Sequence, residues 1–193
     1  MIKKEELVGL DRFEYAPMIR EKTAQMLVKL LKEYQPKKVL EIGTFLGYSA
    51  GLILETCQMA TLVTVEKDEQ KVADARKNLS QFGTRCEVVC ADAIDFLQQN
   101  NQGEKYDFVF LDGAKGQYVK YLPLLKNLLS KGGVLFVDDI MYYGLVKSQE
   151  KIIHKHRSIV NNLRKFLEML ENDQDFETQI YEIEDGYSVS VKK

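Results

Sequence analysis

Short apolar runs alternate along this chain with longer stretches in which apolar residues return every three or four positions. Residues 38–42, 61–66, 86–90, 107–111 and 134–137 are the short runs, and they predict buried strands. Residues 18–34, 48–55, 68–82, 93–99 and 119–129 carry the helical spacing, and Asp68 stands where it would cap the third helix. Strand followed by helix, repeated in this way, predicts a parallel sheet with right-handed crossovers and helices on both faces, the doubly wound α/β class. Ligands of that class bind at the carboxyl ends of the strands. A further helix over 158–170 precedes two strand-like segments, 177–182 and 187–191, which flank the hairpin signal Asp185-Gly186. The expected sheet is seven-stranded, mostly parallel, and closed by an antiparallel hairpin.

Composition narrows this only slightly. The 193 residues fit one domain, and 45% hydrophobic with 29% charged residues suits a soluble fold. Twenty-seven basic and 29 acidic residues give a net charge of −2, which argues against an overall basic footprint for nucleic acid while allowing a local patch. Cys57, Cys86 and Cys90 are odd in number, lack metal-binding spacing, and read as buried free thiols. No apolar stretch reaches the roughly 18 residues of a spanning helix, and the N-terminus lacks a signal core, so a cytoplasmic protein without membrane contact is expected.

Candidate chemistry gathers at the strand ends. The first strand runs into Glu41-Ile42-Gly43-Thr44-Phe45-Leu46-Gly47-Tyr48-Ser49, a turn whose glycines let backbone approach a ligand or simply close a tight turn. Its spacing is not G-x-G-x-x-G, which disfavours a dinucleotide and a nicotinamide oxidoreductase and favours a smaller cationic nucleoside. Glu66 ends the second strand where a carboxylate can accept both ribose hydroxyls, with Lys67 beside it. After the third strand Asp92, followed by Ala93, either accepts the base amino group or caps the next helix. Asp112 ends the fourth strand and Asp138-Asp139 the fifth. Carboxylates so close repel one another unless a cation neutralises them, and an all-oxygen set suits Mg²⁺, Mn²⁺ or Ca²⁺. Lys115 would act as general base if burial and a metal lowered its pKa. A non-catalytic nucleotide- or RNA-binding module would leave Lys115 and these aspartates unused.

At these residues the chain resembles the class I methyltransferases with their Rossmann-like fold, and among them the metal-dependent O-methyltransferases of the catechol and caffeoyl-coenzyme A type. VLEIGTFLGYSA, VEKD, ADA, LDGAK and VDDIMYYG carry the likeness over nearly the whole chain. The resemblance implies S-adenosylmethionine as methyl donor, with Glu41, Gly43, Phe45, Gly47 and Ser49 around its methionine part. Glu66 and Lys67 would meet its ribose, and Asp92 and Ala93 its adenine. It implies a metal on Asp112, Asp138 and Asp139, and Lys115 with Asp112 at the reacting hydroxyl. One departure is Asp139, where that family usually has asparagine. A homodimer is also implied, with residues 1–35 serving either that contact or the acceptor side.

For the acceptor, Lys147, Lys151, Lys155, Arg157, Arg164 and Lys165 make 145–165 locally basic, either as a phosphate-binding run or as a solvated face. The short bacterial relatives that methylate 5-hydroxyuridine in tRNA make tRNA the leading expectation, with Tyr142, Tyr143 or Phe13 stacking on the base. A small catechol or caffeoyl-type phenol is the alternative. His154 and His156 are expected at the surface.

Overall fold

In the computed structural model every residue is described except Met1 and Glu104. Five parallel strands, β1 (Lys38–Ile42), β2 (Thr61–Glu66), β3 (Cys86–Cys90), β4 (Tyr106–Leu111) and β5 (Leu129–Val137), are joined by the antiparallel β6 (Phe176–Tyr181) and β7 (Tyr187–Lys192). The order across this seven-stranded sheet is β3-β2-β1-β4-β5-β7-β6. Six α-helices accompany it: α1 (Glu21–Tyr34), α2 (Tyr48–Thr56), α3 (Glu69–Asn78), α4 (Ala93–Gln99), α5 (Tyr118–Leu128) and α6 (His154–Glu171).

Successive strand residues point to opposite faces, and both faces are covered, which is why the strands read as unbroken apolar runs. Val39, Phe108, Phe110 and Phe136 pack against Leu27 of α1, Ile53 of α2 and Val72 of α3. Leu40, Val109, Leu111 and Leu135 pack on the other side against Leu97 of α4, Leu122 of α5 and Leu163 of α6. Each such fully buried side chain contributes about 1.5–3 kcal/mol. Asp68 caps α3 by accepting from the backbone of Gln70 and Lys71, as its position predicts. β1 is followed by α2 on one face, while its neighbour β4 is followed by α5 on the other. The connections therefore diverge above the two central strands and leave a crevice there.

Several boundaries differ from the sequence expectation. The first helix begins at Glu21; residues 18–20 line the cleft outside any helix, with Arg20 extended. The third ends at Asn78 and gives way to a 3-10 segment, Ser80–Arg85, broken by Gly83 at φ 54°. β5 starts at Leu129, which pairs with Tyr106 before the register shifts, and runs through Gly132 and Gly133, earlier than the expected start at 134. The last helix begins at His154. The hairpin ladder closes at Tyr181 and Tyr187, so Asp185-Gly186 lies in a longer connection over 182–186 and not in a two-residue turn. Of the cysteines only Cys57 is buried; Cys86 is partly exposed and Cys90 exposed, a correction to the buried-thiol expectation. No helix among the described residues is long and apolar enough to cross a membrane.

Candidate active site

A cleft of about 420 Å³ opens at the carboxyl ends of β1, β2, β4 and β5. It brings together Gly43, Phe45, Ser49, Glu66, Lys67, Asp92, Ala93, Asp112, Lys115, Asp138 and Asp139. Two expected donor residues lie outside the lining. Gly47 caps α2 at φ 87° and fixes the turn through its N–H to the Thr44 carbonyl. Glu41 is wholly buried beneath the turn, where its Oε2 accepts from Thr64 Oγ1 at 2.5 Å. Ser49 stands by the same carboxyl without completing a hydrogen bond to Oε1, which has no partner.

Burial, set against help from Ser49 and Thr64 and reinforced by Asp112 and Glu66, raises Glu41 from 4.5 to about 7. Between those values the folded protein binds more protons than the unfolded chain, so stability falls as pH rises from about 4.5 to about 7. Glu41→Gln cannot ionise and should be more stable than wild type at pH 8 by about 2–3 kcal/mol, and much less so at pH 5. Urea midpoints at the two pH values test this; equal differences would place Glu41 at an ordinary pKa.

Glu66 reaches back into the donor turn: Oε2 accepts from the Phe45 N–H at 3.1 Å, and Oε1 from the N–H groups of Lys67 and Asp68, each at 3.0 Å. Asp92 Oδ1 accepts from the Ile94 N–H at 2.8 Å, so it caps α4 while also lining the cleft.

The aspartates meet a cation from the chain itself. Lys115 Nζ lies 3.3 Å from Asp112 Oδ1 and 3.0 Å from Asp139 Oδ2. Asp138 is almost fully buried, and its Oδ1 accepts from the Asp139 N–H at 2.7 Å. Burial raises Asp112 to about 6, Lys115 opposing and Asp139 adding to the shift. Asp138 is raised further by burial and by both neighbouring carboxylates. For Lys115 the direction is the reverse of the expected one. Burial acts to lower it, but the Asp112 and Asp139 carboxylates outweigh burial and keep it protonated. Beneath this group the Tyr118 hydroxyl is buried with no hydrogen-bond partner. Among the described residues no group of three or more His, Cys, Asp or Glu side chains stands ready to hold a metal ion. The chemistry of the set still suits a hard cation: oxygen donors only, two of them raised in pKa by burial and, after it, by their neighbours' charge.

The sequence reading missed the rim. Tyr15, Pro17, Met18, Ile19 and Arg20 close one side, and Arg20 pairs with Asp185 of the β6–β7 connection. Asp185 Oδ1 also accepts from the Tyr143 N–H at 3.1 Å. Of the aromatics considered for stacking, Tyr143 alone lines the cleft; Tyr142 bonds His156 Nδ1 at 3.1 Å and Phe13 packs edge-on to Phe45. Phe45, Asp139, Tyr142 and Tyr143 all have positive φ, so backbone strain concentrates around the cleft, as is common at functional sites.

The O-methyltransferase family profile matches residues 8–193. The chain belongs to that family. The caffeoyl-CoA O-methyltransferase of Stellaria longipes is 29% identical over 65% of the chain and 55% of its own length. The catechol O-methyltransferase of Bos taurus is 28% identical over 87% of the chain and 65% of its own length. The chain thus spans less than two thirds of either relative. An O-methyltransferase from Bacillus cereus, solved in complex with SAH, superposes with a TM-score of 0.82 at 26% identity, covering 93% of this chain and 84% of that one. The Rossmann-like sheet with its terminal hairpin is the fold expected, and it is shared with this solved member of the family.

Proposed function

We propose that this enzyme transfers the methyl group of S-adenosylmethionine to an acceptor hydroxyl that has a second oxygen on the neighbouring carbon. The observation that carries this reading is a single cleft joining the Gly43–Ser49 turn and Glu66 to the Asp112, Lys115, Asp138 and Asp139 group. Glu66 receives the ribose hydroxyls, the turn backbone and Ser49 receive the methionine part, and Asp92 with Ala93 borders the adenine. Asp112, Asp138 and Asp139 would hold Mg²⁺, or Mn²⁺ or Ca²⁺, which when bound supplies Lewis-acid activation of a hydroxyl. Lys115 Nζ is placed to take the acceptor's proton once it is drawn off Asp112 and Asp139 and has released its own proton to solvent. The oxygen then attacks the sulfonium methyl in line, a C–O bond forming as the C–S bond breaks, and S-adenosylhomocysteine leaves. Residues 15–20 and Tyr143 border the acceptor side and exclude water there.

Small catechols and caffeoyl-type phenols carry this oxygen pair, and so does 5-hydroxyuridine, whose hydroxyl adjoins a carbonyl. The phenol reading is favoured because two of the basic residues counted toward RNA are engaged within the chain: Lys147 pairs with Glu182, and Arg164 donates to the carbonyls of Leu145, Val146 and Ser148. A tRNA acceptor keeps one specific support. Lys151, Lys155, Arg157 and Lys165 are exposed without carboxylate partners among the described residues, and the Tyr142–His156 bond ties α6, which carries the last three, to the residue beside Tyr143 of the cleft. A homodimer is carried on the resemblance alone and is checked by light scattering.

The deciding experiment supplies labelled S-adenosylmethionine with Mg²⁺ or with EDTA to catechol, a caffeoyl ester, and tRNA containing 5-hydroxyuridine. Label in phenols only supports the first reading. Label in tRNA that is lost on reversing Lys151, Lys155 and Arg157 to glutamate moves the acceptor to RNA. Label in none of them sinks the proposal. Glu66→Ala should weaken S-adenosylhomocysteine binding by about tenfold to a hundredfold in calorimetry, through loss of charge-assisted hydrogen bonds; unchanged affinity would remove Glu66 from the donor site.

A further inference from the structure

Lys115 lies where the three aspartates would otherwise face one another. Its Nζ is 3.0 Å from Asp139 Oδ2 and 3.3 Å from Asp112 Oδ1, while its side chain is only 17% exposed. Asp139 is directed to it by a left-handed backbone turn at φ 56°, a conformation aspartate tolerates better than most residues. The Asp139 N–H is itself pinned to Asp138 Oδ1 at 2.7 Å, so the Asp138-Asp139 corner is held while the Asp139 carboxylate points at the amine. The result is an ammonium ion seated among carboxylates of the cleft.

We infer that Lys115 is a built-in placeholder cation, anchored by Asp139, which a divalent ion must displace in order to bind Asp112 and Asp139. This rests on the reading of Asp112, Asp138 and Asp139 as the ion-holding set. The physical argument is competition. One carboxylate oxygen cannot serve an ammonium at hydrogen-bond distance and a hard ion at about 2.0–2.6 Å without one of them giving way. The ammonium is the weaker competitor, with a single charge on a flexible stem, so it moves and the ion stays. Its presence keeps the site assembled before the ion arrives, because unpaired carboxylates at this depth would repel and spread.

The test is a calorimetric titration with Mn²⁺ in the presence of S-adenosylhomocysteine, on wild type, Lys115→Met, Asp139→Asn and the double variant, with no turnover required. Removing the competing charge should tighten Mn²⁺ binding in Lys115→Met by about tenfold, the size expected for one charge at this distance in a partly screened site. Asp139→Asn should weaken binding more in the Lys115→Met background than in wild type, since in wild type it also releases the competitor. Lys115→Gln, which is polar and uncharged, should match Lys115→Met and serves if the methionine variant folds poorly. Equal or weaker Mn²⁺ binding in both Lys115 variants overturns the placeholder role and leaves the metal reading intact. Mn²⁺ binding absent from wild type and all variants overturns the metal reading along with it.

Discussion

Gly43→Ala should produce the largest loss of stability of any glycine-to-alanine change in this protein. Gly43 sits at φ 102°, and a Cβ there would lie 2.2 Å from the Asp112 carbonyl oxygen and 2.7 Å from its carbonyl carbon. Both obstacles are backbone of the adjoining strand end and cannot rotate away. The clash adds to the cost of a left-handed conformation, so the expected destabilisation is about 3–5 kcal/mol, a fall in Tm on the order of 10 °C for a chain of this length. The relief available is to push the donor turn and the Asp112 strand end apart, which separates the two halves of the cleft. Gly132→Ala is the matched comparison: it too has positive φ, 77°, but no atom lies within 4 Å of its added Cβ. That variant should lose only about 1–2 kcal/mol. Thermal unfolding of the pair separates steric closure from backbone strain; similar losses would mean that the Gly43–Asp112 approach is not as close as described.

Lys115→Met should remove most of the turnover while sparing the donor. The side chain carries no hydrogen bond to the donor turn, and its partners are Asp112 and Asp139. Loss of a positioned proton acceptor costs about 10²–10⁴ in kcat, whereas binding of S-adenosylhomocysteine should change less than about threefold. Single-turnover methyl transfer alongside calorimetry checks both numbers. Wild-type rates in the variant would remove Lys115 from proton transfer, and the reaction would then need only alignment and electrostatics. The proton-transfer role also has a pH signature. An amine must be neutral to accept a proton, so activity of the ion-loaded enzyme should climb with pH as Lys115, drawn off Asp112 and Asp139, gives up its own proton. The climb should vanish in Lys115→Met.

The central architecture was legible because it rests on local signals. β1, β2 and β3 have the predicted limits, and the capping role of Asp68 follows from its place at the start of α3. A strand covered on both faces has to be apolar throughout, and a helix covered on one face has to repeat its apolar positions, so the pattern records the layering before any contact is known. The strand-end acids were legible for a similar reason: a carboxylate directly after a buried strand has few structural uses, and Glu66, Asp92, Asp112, Asp138 and Asp139 do line one cleft.

What local patterning does not encode is how segments distant in sequence share space. The non-helical course of residues 18–20 goes with the cleft they border, not with their own apolar spacing. Arg20 and Asp185 lie far apart in the chain and meet only because the β6–β7 connection folds over the N-terminal segment. Glu41 carried the same sequence signal as Glu66, yet burial beneath Thr64 and Ser49 gives it an unpartnered oxygen and a pKa of about 7. The protonation of Lys115 is the clearest case. Burial alone lowers a lysine pKa, but the sign of the shift is set by Asp112 and Asp139 closing around it. Sequence determined the sheet, its layers and the carboxylates along its edge; tertiary structure decided which of them face a ligand, which face each other and which hold Lys115. Electrostatic energies depend on distances of a few ångströms between groups whose separation along the chain says nothing of those distances.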